Sequence, residues 1–422
     1  MTLTPSPEMP PGAASDLVGH ADWSWPTPWI QAPSPAPDTR RAVADSGRFH
    51  HARTAGPTAL VRLYVEHGQS PWLDGLDRRL LSDGTLARMV GDGIRGVSAG
   101  PTGFAAALED GPDYDEQLSW LISTGCSVEE AYRELVATDV QAACAVLRPV
   151  HLTSQGGDGF VSVEIAPSMA TRARGAVAAA QRLYQRIDRP NLLVAVPATA
   201  PGTAAVRTLV AAGRSVNVTS IFSLSRYSQV IDAYLSGLEA FAARGGDPST
   251  VRGTASFAIH SVDAEADERL ATGAGPRGAA LCGRVALAQA RLAYRLFEER
   301  FGTARWSRLA GLGAHPQRLL WAALAPLDRS ECERTYVDAL VAPDTFTALP
   351  ASTAAAFDGE APQSGNLLDQ DPREAAWVLN ELNALGVDLD DVADSLEDQR
   401  GEATRRYLDD VMSRLHGGRR NP

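Results

Sequence analysis

The chain contains no lysine among its 422 residues, so all 39 side chains counted as lysine plus arginine are arginines. Formation of a Schiff base needs a nucleophilic amine, and the guanidinium group of arginine stays protonated and is a very poor nucleophile. The sequence therefore excludes imine chemistry on a lysine side chain.

Other features are scarce as well, and each scarcity argues against a class of protein. The formal net charge of -12 argues against nucleic-acid binding, which needs a dense positive patch. No apolar run approaches the roughly 18 residues of a membrane span, and the N-terminus has no signal-peptide pattern. The cysteines are widely spaced without a CxxC pair, which favours reduced core thiols over a zinc site: Cys126, Cys144, Cys282 and Cys332. We expect a cytoplasmic protein with no metal, cofactor, nucleic-acid or membrane partner.

The first fifty residues differ in composition from the rest of the chain. Residues 1–50 are crowded with proline, serine and alanine, a composition that predicts extended or disordered backbone. Three tryptophans in this tail, Trp23, Trp25 and Trp29, could dock on the body of the protein or on a partner. We expect this tail to precede one folded domain over residues 51–422.

From Ala59 onward, short β-branched runs alternate with amphipathic helical stretches. Eight runs are predicted strands, which start at Ser70, Arg95, Gly159, Asn191, Ser215, Gly253, Arg318 and Thr335. Eight strands alternating with helices over about 300 residues are typical of a (β/α)8 TIM barrel of the α/β class. A doubly wound sheet is the alternative, but no GxGxxG or GxxxxGK[ST] glycine loop is present. Beyond Pro350 the pattern is helical, and the last helix could lie across the barrel mouth, the end at which the strands finish.

Several predicted strand ends resemble those of the bacterial transaldolases, in the long form found in actinobacteria. The blocks are collinear from about Ala59 to the C-terminus: GVSAGPTGF, DVQAACAVLRPV, VSVEIAP, DRPNLLVAVPAT, VNVTSIFSLSRY, ASFAIHSVD and LEDQRGEA. The resemblance implies a barrel in which a lysine forms an imine with a ketose phosphate. It also implies two carboxyl groups that handle protons, polar side chains that bind substrate hydroxyls, and arginines that hold the phosphate.

Five family positions keep their side chains in this sequence. The resemblance implies catalytic roles for Asp74 in WLDGL, for Glu164 in VSVEIAP and, through a shared water, for Thr219 in VNVT. It implies contacts with substrate hydroxyls for Asn217 in VNVT and for Ser256 in ASF.

Other family positions are altered. The lysine position falls on Ala195 in LLVAVPAT, an asparagine position on Gly100 in GPT, and an arginine position on Ser261. The segment WAALAPLDR, from Trp321, departs from the family's Trp-Ala-Ser-Thr run and its downstream lysine. These replacements remove size and polarity, so we expect the three altered positions to line a roomier and less polar pocket.

Four further residues near predicted strand ends are candidates for substrate contacts: Ser98, Thr199, His260 and Trp321. The hydroxyls of Ser98 and Thr199 could donate to substrate or cap the backbone. His260 could serve as an acid, a base or an anion-binding group, or be a structural histidine with satisfied hydrogen bonds.

From these residues we expect a repurposed biosynthetic enzyme that works without a Schiff base. Asp74 and Glu164 would supply acid/base catalysis for a cyclisation, dehydration, isomerisation or condensation of an apolar, unphosphorylated natural-product intermediate. Ordinary transaldolase activity is expected to be absent. Two alternatives stay open, a non-catalytic protein that binds a partner or ligand at the barrel mouth, and residual transaldolase-type chemistry on sugar phosphates. Small residues on the barrel helices would permit a homodimer.

Overall fold

The structure is a computed structural model, and it describes residues 58–109, 112–272, 275–324, 336–357, 367 and 371–417. Predictions for the proline-rich tail, its tryptophans Trp23, Trp25 and Trp29, and the domain boundary at residue 50 lie outside these residues. So do Cys332 and the end of the WAALAPLDR segment.

Eight parallel strands form a closed barrel in chain order, which confirms the predicted (β/α)8 fold. The strands are β1 (Gln69–Asp74), β2 (Gly96–Ala99), β3 (Val161–Glu164), β4 (Leu192–Pro197), β5 (Val216–Ile221), β6 (Gly253–Ala258), β7 (Gln317–Ala322) and β8 (Thr345–Pro350). Pairing of β8 with β1 closes the ring, with Gln69 opposite Thr345.

Helices surround the barrel and continue past it. Those up to the sixth strand are α1 (Ala59–His67), α2 (Arg78–Ser82), α3 (Thr85–Gly91), α4 (Pro101–Glu109), α5 (Asp115–Ser123), α6 (Val128–Thr153), α7 (Pro167–Ala170), α8 (Ala173–Ile187), α9 (Ala200–Ala211) and α10 (Leu224–Ala243). Those that follow are α11 (Ile259–Ala271), α12 (Gly275–Ala279), α13 (Val285–Arg300), α14 (Ala304–Ala310), α15 (336–339), α16 (Ala351–Ala356), α17 (Pro372–Ala384) and α18 (Leu389–Gly417).

Two predicted strands were placed differently from the structure. The eighth was predicted from Thr335, but residues 336–339 are helical, and Leu340 N donates to Tyr336 O at 3.0 Å as in a helix. The segment TFTALP forms β8 instead. The sixth was predicted to continue through the SFAIHSV run, but β6 ends at Ala258 and α11 begins at Ile259. His260 and Ser261 therefore lie on the first turn of a helix.

The inside of the barrel has a small core of its own. Trp72, Phe160, Leu193, Leu320, Phe346 and Ala348 form a cluster separate from the larger core between strands and helices. The rings of Trp72 and Phe346 have centroids 4.7 Å apart. Gly96 makes room for this packing, because a Cβ there would lie 2.5 Å from the Trp72 ring.

This inner cluster identifies which side chains face the barrel mouth. Side chains on a strand alternate between faces, so residues two positions beyond an inward-facing residue face inward as well. Asp74 follows Trp72, and Ala195 follows Leu193 in this way. Both face inward at the end where their strands finish.

Helix α18 lies across the mouth, as the sequence predicted. It contacts α4, α6, α7 and α11. Arg226 of α10 pairs with Glu397 of α18 at 2.9 Å, and Ser225 Oγ donates to Asp390 Oδ1 at 2.5 Å. The last helix therefore covers part of the site that the strand ends form.

The described cysteines are free thiols in three different environments. Cys144 is buried, Cys126 is half-buried and Cys282 is exposed. Burial raises the pKa of the Cys144 thiol to about 12. The predicted core thiol is therefore Cys144, while Cys282 lies at the surface.

Candidate active site

The carboxyl ends of the eight strands meet at the mouth, where TIM barrels carry their catalytic side chains. Strand register places Glu164 of β3 beside Ala195 of β4, and Ala195 beside Asn217 of β5. The carboxyl group of Glu164, the small side chain of Ala195 and the carboxamide of Asn217 thus lie side by side. We call these three residues the inner row.

Asp74 and Ser98 form a pair at the ends of β1 and β2. The Asp74 carboxyl group is exposed, and Ser98 Oγ donates to its Oδ1 at 2.5 Å. The two residues are also opposite each other in the strand register. Ser98 therefore holds the carboxyl group of Asp74 in place, so the structure brings together two of the predicted site residues.

Glu164 ends β3 and is mostly buried, with 11% of its side chain exposed. Burial raises the pKa of Glu164, and the charge of Arg400 opposes this rise. The guanidinium Nη2 of Arg400 lies 3.8 Å from Glu164 Oε2. Burial also raises the pKa of Tyr132 on α6, with contributions from the charges of Tyr407 and Glu164. Burial thus favours the protonated form of Glu164 more than that of an exposed glutamate.

The carboxamide of Asn217 makes three hydrogen bonds inside the barrel. Its Nδ2 donates to Ser162 Oγ at 2.9 Å, while its Oδ1 accepts from Thr254 Oγ1 at 2.6 Å and from Ser256 Oγ at 2.8 Å. The predicted pair Asn217 and Ser256 is therefore brought together. Ser162 and Thr254 were not predicted, although each lies two residues before an inward-facing residue of its strand, Glu164 or Ser256.

Thr219 has a buried hydroxyl in β5, two residues beyond Asn217. Within the part of the chain that the structure describes, its Oγ1 has no hydrogen-bond partner. The strand is irregular there, since the register with β6 shifts between Val218 and Ile221 and Ser220 has a φ of 58°. Backbone in this region costs free energy and often occurs at functional sites. The Thr219 hydroxyl is thus available to a ligand or a water.

The three positions that the resemblance marks as altered, Ala195, Gly100 and Ser261, differ in their surroundings. Ala195 is 2% exposed and lies in the inner row between Glu164 and Asn217. Gly100 precedes α4, and a Cβ there would meet no heavy atom within 4 Å. Ser261 is half-buried on α11. The roomier, less polar pocket stays a prediction, and Gly100 has open space beside it.

Two predicted substrate contacts have partners of their own. Thr199 is the N-cap of α9, and its Oγ1 accepts from Gly202 N at 3.2 Å. The backbone N–H of His260 donates to Ala323 O at 2.9 Å, and its ring contacts that of Tyr336 with centroids 6.3 Å apart. Thr199 therefore caps the backbone, which is one of its two predicted roles. His260 packs between α11 and α15.

Trp321 lies outside the inner row. It is fully buried in the core between strands and helices, where its ring packs against Phe257 with centroids 6.0 Å apart. Leu320, its neighbour on β7, points into the barrel instead. Because faces alternate along a strand, Trp321 has no direct contact with the barrel interior, in contrast to the predicted substrate-binding role.

A cleft of about 940 Å³ reaches Glu164 from the side of β2 and β3. Gly100 and Glu164 line it, together with Leu408 and Met412 of α18. Tyr132 of α6 also faces it. This cleft gives a small molecule a route to the acid at the mouth.

Metal-binding clusters and membrane-spanning helices are both absent from the described ranges. No group of three or more histidine, cysteine, aspartate or glutamate side chains there is arranged to hold a metal ion. No helix of those ranges has both the length and the apolar character needed to cross a bilayer.

Known proteins resemble this chain over most of its length. The profile of the transaldolase/fructose-6-phosphate aldolase family matches residues 71–414. The chain belongs to the transaldolase family. Transaldolases of Parafrankia sp. (strain EAN1pec), Thermobifida fusca (strain YX) and Saccharopolyspora erythraea are 42%, 41% and 43% identical to it. These matches cover 81%, 82% and 78% of this chain and 92%, 95% and 89% of the respective relatives.

Membership of the transaldolase family corrects the predicted function. The expected repurposed biosynthetic enzyme, acting on an apolar, unphosphorylated intermediate, is wrong, and so is the expected absence of transaldolase activity. Relatives that are 41% to 43% identical over about four-fifths of this chain are named transaldolase. The alternative of a non-catalytic binding protein is contradicted for the same reason. The prediction failed because it gave three altered positions more weight than the rest of the barrel.

Proposed function

We propose that this barrel carries out transaldolase-type carbon–carbon bond chemistry on a ketose phosphate such as fructose 6-phosphate. The family match supports the substrate class, since the profile is named for transaldolase and fructose-6-phosphate aldolase. The observation that carries the proposal is that Glu164, Ala195 and Asn217 lie in one row at the same mouth as the Asp74–Ser98 pair.

The electrons of the breaking bond need an acceptor other than a lysine imine. In the alignment implied by the resemblance, the family's lysine falls on Ala195, and the sequence has no lysine at any other position. The carbonyl oxygen at C2 of the ketose phosphate is then the acceptor. A proton donor at that oxygen takes over part of the work that a protonated imine does in other members.

The proposed step balances with two carboxyl groups. Ionised Asp74 removes the proton of the C4 hydroxyl, and the C3–C4 bond breaks to leave an aldose phosphate. The bonding pair forms the C2–C3 double bond, and the C2 oxygen takes the proton of Glu164. The resulting three-carbon enediol adds to a second aldehyde by the reverse sequence, which completes the transfer.

The surroundings of each group suit its proposed role. Burial raises the pKa of Glu164 and so favours the acid form that donates. Asp74 is exposed and oriented by Ser98. The unpartnered Thr219 hydroxyl would hold a substrate oxygen or the water that relays the Glu164 proton.

A product assay tests this proposal. The full chain is incubated with fructose 6-phosphate and a four-carbon aldose phosphate, and the seven-carbon product is measured by mass spectrometry. We expect product with the wild type and a loss of at least about 100-fold in Glu164→Gln and Asp74→Asn. Exposed Glu116→Gln and Asp115→Asn are matched controls that keep their activity. A wild type that forms no product refutes the proposal.

Restoring a lysine tests whether a ketose phosphate reaches the inner row. Ala195→Lys places an amine between Glu164 and Asn217 in a chain with no other lysine. Treatment with fructose 6-phosphate and borohydride should then add the mass of one reduced ketose phosphate at residue 195. Ala204→Lys, on the exposed face of α9, should give no adduct. A folded Ala195→Lys variant without an adduct would show that the substrate does not occupy this site.

A further inference from the structure

Arg400 is a cation above the mouth that lies in the LEDQRGEA block and that the sequence pattern gave no role. It lies on α18, and its Nη2 is 3.8 Å from Glu164 Oε2. The guanidinium side chain is 44% exposed while the carboxyl group is 11% exposed. A half-solvated positive charge therefore faces a buried acid across the opening of the barrel.

Contacts close to Arg400 hold this stretch of α18 in place. Glu397, three residues earlier, pairs with Arg226 of α10 at 2.9 Å, and both side chains are largely buried. Gln399 Nε2 donates to Glu265 Oε2 of α11 at 3.3 Å. Arg400 is thus presented to Glu164 from a helix that is fixed at two neighbouring positions.

Other groups also surround Glu164, but they differ from Arg400. Tyr132 faces it from α6, and Ala195 lies beside it on β4. Further charged residues line the adjoining cleft: Glu129, Arg133 and Glu134 of α6, Arg182 and Arg186 of α8, and Asp409 of α18. Arg186 is itself paired with Glu134. Of the residues described, Arg400 is the cation in ion-pair contact with Glu164.

We propose that Arg400 is a positioning residue of this active site, whose guanidinium sets the charge state and orientation of the Glu164 carboxyl group. The inference rests on the proposed role of Glu164 as proton donor. A cation at this distance favours the ionised carboxylate and opposes the effect of burial. Arg400 thereby limits how strongly burial holds the proton on Glu164, and α18 becomes part of the catalytic apparatus as well as a cover.

Titration of Glu164 tests the inference without any turnover, so its failure is distinguishable from failure of the proposed reaction. Glutamate side-chain carboxyl carbons are labelled with 13C in the full chain, and the Glu164 signal is assigned by its loss in Glu164→Gln. We expect Arg400→Gln to raise the pKa of Glu164 by about one unit and Arg400→Lys to restore most of the wild-type titration. Arg405→Gln, an exposed neighbour on the same helix, should leave it unchanged.

The kinetic counterpart is a shift of the pH profile. If Glu164 donates a proton, the basic limb of the rate profile should move to higher pH by the same amount in Arg400→Gln, with a smaller change in KM than in kcat. An unchanged Glu164 titration in a folded Arg400→Gln variant would overturn the inference. An equal shift in Arg405→Gln would overturn it as well, since any loss of charge on α18 would then suffice.

Discussion

Asn217 is the centre of a buried hydrogen-bond network at the barrel mouth. Its carboxamide joins three hydroxyls, those of Ser162, Thr254 and Ser256, from two other strands. All of these groups are buried, so each needs a partner inside the protein. The network therefore sets the shape of the site beside Ala195.

Replacement of Asn217 by leucine should destabilise the fold. Leucine has a similar size but leaves the three hydroxyls without their partner, which should lower the free energy of unfolding by about 2–4 kcal/mol. Urea denaturation measures the change. Asn380→Leu, on the exposed face of α17, is the matched control and should stay within about 0.5 kcal/mol. A loss below about 1 kcal/mol in Asn217→Leu would contradict the role given to this network.

Glu164→Gln should stabilise the protein at alkaline pH. Burial raises the folded-state pKa of Glu164 above its ordinary value of 4.5, so the folded form binds more protons than the unfolded form between the two values. The stability of the wild type therefore falls as pH rises through this window. Melting temperatures should be higher for Glu164→Gln near pH 8, and the difference should shrink toward pH 4. A difference that grows as the pH is lowered would contradict the sign of this shift.

Residues of the site were predictable from sequence to different degrees. Asp74, Glu164, Asn217 and Ser256 were named through the resemblance, and the structure places them on the inner face at the mouth. Arg400 was missed because no local pattern links residue 400 to residue 164. The contact exists only because α18 returns across the barrel.

At the scale of elements, α18 is the helix that covers part of the barrel mouth. Its anchors are the Arg226–Glu397 ion pair and the Ser225–Asp390 hydrogen bond. The side chains of the ion pair are only 16% and 13% exposed. Such a pair is screened less than a surface pair, so its loss should be measurable.

Glu397→Gln should loosen α18 without unfolding the barrel. Loss of the ion pair should cost about 1–2 kcal/mol, between the values of surface and buried pairs. Amide hydrogen exchange of α18 should then accelerate roughly 5- to 30-fold, while the barrel strands keep their protection. Glu402→Gln removes an exposed pair with Arg406 on the same helix and should change exchange little. Equal exchange of α18 in Glu397→Gln and wild type would contradict the anchoring role.

Two element boundaries were predicted wrongly. In the first case, two segments compete for one place in the sheet. TYVDALVAP and TFTALP both carry short β-branched runs, and pairing with β1 across the closed ring selects the second as β8. The apolar run of β6 continues into α11, so the sequence shows no boundary at Ala258. Tertiary pairing therefore decided the first case, and the second boundary lies within a continuous apolar run.

For the whole molecule, barrel closure depends on a filled interior. Trp72 occupies its centre, packs against Phe346 and Phe160, and lies above a buried Asp158. Asp158 also accepts from Arg95 Nε at 2.6 Å and from Ser70. One buried carboxylate and its donors thus lie at the end of the barrel opposite the mouth.

Trp72→Ala should cost about 3–5 kcal/mol, because it removes the largest side chain inside the barrel and leaves a cavity. Guanidinium denaturation monitored by circular dichroism measures this loss. Trp377→Ala is the control, since that ring is 50% exposed on α17, and its cost should stay below about 1 kcal/mol. Similar losses in the two variants would contradict the central packing role of Trp72.

The fold was predictable at this scale because strand–helix alternation extends over the whole domain. The function was not predictable, because the absence of lysine excludes an imine mechanism but leaves the substrate class open. Similarity over more than 330 residues to transaldolases carried the information that single positions lacked. The cytoplasmic location and the homodimer stay predictions, and light scattering of the full chain would measure the latter.

Transaldolase-type chemistry that needs no lysine imine is tested most directly by turnover before and after reductive trapping. The wild-type chain is assayed with fructose 6-phosphate and a four-carbon aldose phosphate, treated with fructose 6-phosphate and borohydride, freed of small molecules and assayed again. We predict that the seven-carbon product forms at the same rate in both assays. Absence of product in the first assay, or loss of activity in the second, would contradict the account.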